Sequence, residues 1–315
     1  MRKDKPSAAA LTGIRVGTAS WTEKTLLESG AFYPPAVKTA EQRLRFYAQR
    51  FGVVEVDATY YALPSIRNAA AWAERTPADF LFGVKAFAAM TGHPVEPRRL
   101  DRDLVAALPA ALRTARSIDS EMLPPELVDE IWRRFRANLE PLVAAGKLAY
   151  VLLQMPPWFH PSEEALASLD AATRRLPGLT CAVEFREAGW LAPARAAHTL
   201  EWLASRRLVY VCVDEPQGTR ASVPPVAEAT SDALAVVRFH GRRLETWTRP
   251  GVPTTERFRY DYPRAELAEW VPRLRQLAEK SRTVLALLNN CYRDAAVRNA
   301  QDLSALMGVS STSEA

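Results

Sequence analysis

Eight short apolar runs recur between helix-like stretches of this chain, at residues 14–18, 53–56, 80–85, 148–153, 180–185, 208–213, 234–239 and 283–288. Strand alternating with helix eight times over restricts the fold to the α/β class and, by its count, to a (β/α)8 TIM barrel. In that architecture the strands close on themselves and the chemistry sits at their carboxyl ends. One barrel domain is expected over residues 13–307, with long loops after the third and seventh strands and loose tails at 1–12 and 308–315. The start, MRKDKPSAAALTG, is basic but lacks the sustained apolar core of a signal peptide.

Strand parity sharpens the picture, because alternate residues of a strand face opposite sides. In the third run Phe80, Phe82 and Val84 form one set, and Leu81, Gly83 and Lys85 the other. The seventh run sets Ala235, Val237 and Phe239 against Val236, Arg238 and His240. Glu55 and Asp57 likewise oppose Val54 and Val56, Glu184 and Arg186 oppose Val183 and Phe185, and Asp214 opposes Val213. Gln154 shares the parity of Tyr150 and Leu152. One set stays apolar to the end, as a face packed under helices must. The other turns polar at its last positions, so charged groups from separate strands are expected to converge over one mouth of the barrel.

Composition narrows the class further. The 315 residues are 48% hydrophobic and 24% charged, and no apolar stretch approaches bilayer length. A membrane-spanning protein is therefore not expected, and the cytoplasm is the default location. Three scattered cysteines, Cys181, Cys212 and Cys291, exclude a disulfide framework or a zinc knuckle. The net charge of +5 comes without the basic stripe that a dedicated nucleic-acid domain shows. No nucleophile elbow, Walker loop or dinucleotide fingerprint is present, which disfavours ATP and nicotinamide chemistry. Helical periodicity predicts helices over 39–51, 65–76, 124–146, 162–176, 194–207, 264–280 and from about Asp294 onward.

The chain also carries the motifs GTASW (17–21), FYPP (32–35), VVEVDATYYALP (53–64), FGVKAF with TGHP (82–87, 91–94), LLQMPPWF (152–159), VEFREAGW (183–190), RFHGR (238–242), RYDYPRAELAEW (259–270) and LNNCYRDAAVRNA (288–300). In these stretches, which span nearly its whole length in order, it resembles the domain-of-unknown-function 72 family. The resemblance implies a barrel with a polar site at the motif residues and no reaction. Two positions depart from the family pattern: Glu187-Ala188-Gly189 stands where a His or Asp followed by Pro and Ser is common, and Ala19 where Ser followed by Gly is usual.

Glu184 and then Glu55 lead as general acid or base candidates, being carboxylates at strand ends on the lumen parity. Asp214 and Lys85 join them as catalytic candidates, with His240 as a proton relay. Lys85, Arg186 and Arg238 suit a phosphate or carboxylate group, which guanidinium recognises in bidentate fashion. Gln154, Asn289 and Asn290 are placed to orient hydroxyls, and Trp21, Tyr60 and Trp190 offer flat faces for a sugar ring or a base. Lys85 is also a Schiff-base candidate, opposed by carboxylate neighbours that would keep it charged.

The competing reading of the same residues is mutual compensation. Glu55, Asp57, Glu184 and Asp214 stand against Arg15, Lys85, Arg186 and Arg238, four charges against four, with Arg15 near a strand start and so a candidate for the opposite end. A divalent metal on Glu184, Asp214 and His240, which end three successive strands, is a further alternative, although no HxH, HExxH or DxD spacing supports it. The expected function is an enzyme, with no required cofactor, acting by acid–base chemistry on a small polar, anionic, carbohydrate-like substrate. Glu184→Gln is expected to leave folding intact and abolish turnover. The alternatives are a non-catalytic nucleic-acid or nucleotide binding barrel and a metal-dependent phosphodiesterase-type hydrolase. Oligomeric state is not legible in the sequence.

Overall fold

The computed structural model describes residues 13–309. Eight strands close into a barrel in chain order: β1 (Gly13–Thr18), β2 (Val53–Val56), β3 (Leu81–Lys85), β4 (Leu148–Gln154), β5 (Cys181–Glu184), β6 (Val209–Asp214), β7 (Leu234–Phe239) and β8 (Thr283–Leu288). Every neighbouring pair is parallel. The tail at 1–12 and residues 310–315 lie outside the described residues. Gly308 closes the last helix with a left-handed φ of 67°, and Val309 packs on the core.

The apolar parity set lies under the helices. Val54, Val56, Phe82, Val84, Val211, Val213, Val237 and Phe239 are all buried. Each such side chain contributes roughly 1.5–3 kcal/mol by leaving water, which makes this shell the main support of the closed sheet. Local signals set the helix starts: Thr39 and Gln42 form a capping box, while Ser65 and Ser162 accept from the backbone N–H groups of Asn68 and Ala165.

Two of the long predicted helices are broken. The 124–146 stretch forms Pro125–Asn138 and Glu140–Ala144, and the 264–280 stretch forms Arg264–Ala268 and Val271–Lys280. Each second segment carries a proline in its first turn, Pro141 and Pro272. A proline has no N–H to give and its ring clashes with the preceding turn, so the helix restarts around it.

Inside the barrel, β3 supplies the space that β4 fills. Gly83 pairs with Glu55 on one side and Tyr150 on the other. A Cβ on Gly83 would lie 2.3 Å from Tyr150 Cζ, so the tyrosine ring crosses the lumen only because glycine is there. Gly83→Ala is therefore expected to destabilise the protein by about 1–3 kcal/mol through overpacking. An unchanged urea midpoint would show that the ring does not depend on this gap.

The two long connections roof the mouth. The segment after β3 folds back through an isolated bridge between Val95 and Ile118 and brings His93 against Tyr60, with ring centroids 5.3 Å apart. The segment after β7 carries Trp247 and Phe258, whose rings lie 6.0 and 5.7 Å from that of His240.

Candidate functional site

Arg238 is the centre of the site. It sits on the lumen parity near the end of β7, is wholly buried, and reaches across the barrel to three other strands. Its Nη1 donates to Glu184 Oε2 at 2.5 Å and to Gln154 Oε1 at 3.3 Å. Its Nη2 donates to Glu55 Oε1 at 2.7 Å and lies 3.5 Å from Asp57 Oδ1. Glu55 Oε2 accepts from the Tyr150 hydroxyl at 2.7 Å, the contact that Gly83 makes room for.

The second oxygen of Glu184 holds a second pair of groups. Oε1 accepts from Arg186 Nη1 at 3.1 Å and lies 3.1 Å from His240 Nε2. Asn289 Nδ2 lies 2.9 Å from His240 Nδ1. A carboxylate can only accept, so Nε2 carries the ring proton and Nδ1 accepts from the Asn289 amide. The imidazole is thus fixed in one tautomer from both sides. Arg186 Nη1 also lies 3.4 Å from Glu215 Oε2, and its guanidinium sits 4.4 Å over the Trp247 ring. Among the described residues its Nε and Nη2 make no hydrogen bond.

These contacts drive the acidities apart. Burial alone would raise Glu184, but Arg238, His240 and Arg186 outweigh it and hold the carboxylate well below its usual range. Glu55 goes the other way, raised by burial to about 7 despite Arg238. Glu215 is raised further, to about 8, by burial with Arg186 opposing and Glu184 adding. Burial lowers His240 to about 4, against the pull of Glu184. His93 is also lowered to about 4, by burial and by the charges of Lys85 and Arg186. Both histidines are therefore neutral at neutral pH, and the carboxyl groups able to hold a proton there are Glu55 and Glu215.

Lys85, at the end of β3, is half-buried, and burial lowers its pKa. Its ammonium lies 4.5 Å over the Tyr60 ring and, among the described residues, makes no hydrogen bond or ion pair. Among the described residues it is the cation of this cluster whose charge meets no hydrogen-bond acceptor.

The strand parity brings Glu55, Lys85, Gln154, Glu184, Arg186, Arg238, His240 and Asn289 together, with Tyr60 beside Lys85. Other candidates lie apart. Asp214 accepts from Trp270 Nε1, Tyr262 Oη and Arg242, and shares no hydrogen-bond partner with Glu184. Its carboxylate ties the loop after β7 to the sheet, which explains its burial without a catalytic role. Asn290 donates to Tyr260 O and Asn299 Oδ1 and so braces the start of the last helix instead of orienting hydroxyls. Trp190 is fully buried, stacked on Phe185 and Phe159, and presents no face to a ligand. Trp21, by contrast, stays beside the cluster: it packs edge-on against Trp72 and lines a cavity of about 250 Å³ with Glu55 and Asp57.

Arg15 belongs to the opposite end, where it donates to Asp79 O and lies 3.4 Å from that carboxylate. The metal alternative loses its geometry because Asp214 is engaged elsewhere, and among the described residues no group of three His, Cys, Asp or Glu side chains is arranged to hold an ion. Nor is any described helix long and apolar enough to cross a membrane. Glu215 is the residue that sequence reasoning missed. It follows Asp214 on the parity of Val209, Val211 and Val213, the set that reads as facing the helices. Tyr150 was legible only as a lumen residue. The gap opposite it, at Gly83, was the available signal that it crosses the barrel.

Comparison with known proteins places the chain. Residues 15–314 match the model of a family described as "Protein of unknown function DUF72". The UPF0759 protein YunF of Bacillus subtilis is 32% identical over 300 residues, covering 94% of this chain and 95% of that protein. A DUF72 family protein of Enterococcus faecalis superposes with a TM-score of 0.76 at 23% identity, over 95% of this chain and 96% of the other. One from Thermotoga maritima superposes with a TM-score of 0.73 at 27% identity, over 94% and 99%. The architecture, the run of motifs and the matched length agree, and the chain belongs to the DUF72 family.

Proposed function

We propose that this protein is an enzyme that binds a small anionic, carbohydrate-like substrate at the carboxyl-end mouth of the barrel and moves a proton there. The observation that carries this reading is a pair of cations with donors to spare: among the described residues neither the Lys85 ammonium nor Nε and Nη2 of Arg186 makes a hydrogen bond. Removing Asp214 and Arg15 from the sequence count leaves Lys85, Arg186 and Arg238 against Glu55, Asp57 and Glu184. Glu55, with a pKa of about 7, is only partly ionised at neutral pH, and Glu215, at about 8, is mostly protonated. Buried charge that lacks a partner is costly, and an arriving anion relieves that cost.

The parts divide the work. Glu184 stays ionised and fixes Arg238, Arg186 and His240. Arg186, whose Nε and Nη2 make no hydrogen bond among the described residues, is the anion ligand, and the charge of Lys85 adds to it. Gln154 and Asp57 meet hydroxyls. Glu215 and Glu55 are the carboxyl groups that hold a transferable proton near neutral pH, the kind of separation from an ionised neighbour that marks acid and base roles.

A panel of sugar phosphates, sugar acids and their neutral parents, followed by thermal shift and by NMR for turnover, tests this. Anionic members are expected to stabilise the protein more than neutral ones. Arg186→Met should weaken their binding about ten- to a hundredfold, the worth of a charged hydrogen bond. Equal stabilisation by neutral sugars, or binding unmoved in Arg186→Met, would contradict the proposal.

A further inference from the structure

We infer that Lys85 is an imine-forming lysine, and that the site takes a carbonyl compound bearing an anionic group. The inference rests on the anion-binding reading above for the second half of that statement only.

The contrast between two lysines carries the argument. Lys147, before β4, is also buried, and its ammonium donates to Ala73 O at 2.5 Å, Thr76 O at 2.7 Å and Thr76 Oγ1 at 3.0 Å. All three of its protons are engaged and its lone pair is unavailable. Lys85 occupies the mouth instead, at the catalytic end of the strands, with no acceptor among the described residues. The face of Tyr60 lies 4.5 Å from its ammonium. An aromatic face stabilises a cation without taking a proton, so it serves the iminium product as well as the ammonium. Burial lowers the pKa of Lys85, which raises the share of free amine. Asp57, Glu184 and Glu55 oppose that shift; the last two are shared with Arg238, which leaves Asp57 as the main opposing charge.

Asp57 completes the balance. It is the group whose charge acts most strongly on Lys85, and its side chain is 28% exposed at the mouth. Asp57 takes a proton from the ammonium, and the amine nitrogen adds to the carbonyl carbon as the C=O π electrons move to oxygen. One proton passes from nitrogen to that oxygen, giving a neutral carbinolamine. Asp57 returns its proton to the hydroxyl, water leaves, and the nitrogen lone pair forms the C=N bond. Ammonium and carbonyl become iminium and water, with no net proton and no oxidant. Arg186 would hold the anionic group of the same molecule.

The chain has seven lysines, few enough for each to be followed by peptide mapping. The intact protein is incubated with glycolaldehyde or glyceraldehyde 3-phosphate and reduced with cyanoborohydride. A parallel sample contains glycerol 3-phosphate, which has the anion but no carbonyl. Modification of Lys85 is expected at least about tenfold ahead of the exposed Lys24 and Lys280 with both aldehydes, because surface amines stay protonated. Glycerol 3-phosphate should suppress it, and Lys85→Arg, which keeps the charge, should lose it. If glycerol 3-phosphate raises the melting temperature but Lys85 reacts no faster than Lys24, the imine is overturned and the anion reading stands. If Lys85 is labelled selectively and glycerol 3-phosphate neither protects nor stabilises, the imine stands and the anion reading falls.

Discussion

Arg238→Met is expected to destabilise the protein by about 3–5 kcal/mol, the penalty for breaking a buried ion pair from one side. Methionine fills much of the arginine volume, so the loss comes from charge and hydrogen bonding and not from a cavity. Glu184 and Glu55 would be left inside the barrel with no guanidinium between them, both wholly buried. In a chain of this size the melting temperature should fall on the order of 10 °C. The triple variant Glu55→Gln, Glu184→Gln, Arg238→Met should recover part of the loss, since removing all the charges removes the need for compensation. A urea midpoint unchanged in Arg238→Met would mean that the network contributes nothing to the fold. The same geometry revises the outcome for Glu184→Gln. That variant strips Arg238, Arg186 and His240 of their common acceptor, so it should lower stability as well as turnover. Its pH signature follows from its depressed pKa. The stability Glu184 contributes is present above the ordinary carboxyl range and is lost as pH falls through the folded value.

Glu215→Gln is expected to flatten the pH dependence of stability between about pH 5 and 8, in the opposite sense. Glu215 in the folded protein holds its proton up to about pH 8, whereas in the unfolded chain it releases it near its ordinary value of 4.5. Across that window the folded state carries the extra proton, so stability falls as pH rises, by up to about 1.4 kcal/mol per pH unit. Glu55 adds the same trend up to about pH 7. Glutamine keeps the shape and has no proton to lose. The variant should match wild type at pH 5 and exceed it by roughly 2–4 kcal/mol at pH 8. Parallel urea titrations over this range decide the matter, and identical profiles for the two proteins would show that Glu215 is ionised inside the fold.

What the sequence made legible was geometry of period two. Alternation placed Glu55, Lys85, Glu184 and Arg238 on the lumen side of four strands, and the structure joins Glu55 and Glu184 through Arg238. Parity names a side, not a partner. Asp214 has the correct parity, yet its partners Arg242, Tyr262 and Trp270 arrive from a segment up to 56 residues away. Trp190 follows β5 directly but turns down onto Phe185, because a large apolar ring gains more by burial than by facing the mouth. Asn289 and Asn290 are neighbours in the chain and point to different tasks, one to His240 and the other to Asn299. The acidities were not legible at all. A carboxylate held low in Glu184 and proton-holding groups in Glu55 and Glu215 depend on which guanidinium touches which oxygen, and that is set by side-chain distances.

The proposed site requires Arg186 and Lys85 to face a shared space as the two cations of the cluster with donors to spare. A crystal structure determined with a phosphorylated sugar tests this most directly. Phosphate oxygens about 3 Å from the free edge of Arg186, with Lys85 lining the same pocket, are the predicted result. A phosphate bound elsewhere, with Nε and Nη2 of Arg186 and the Lys85 ammonium making no contact to it, would contradict it.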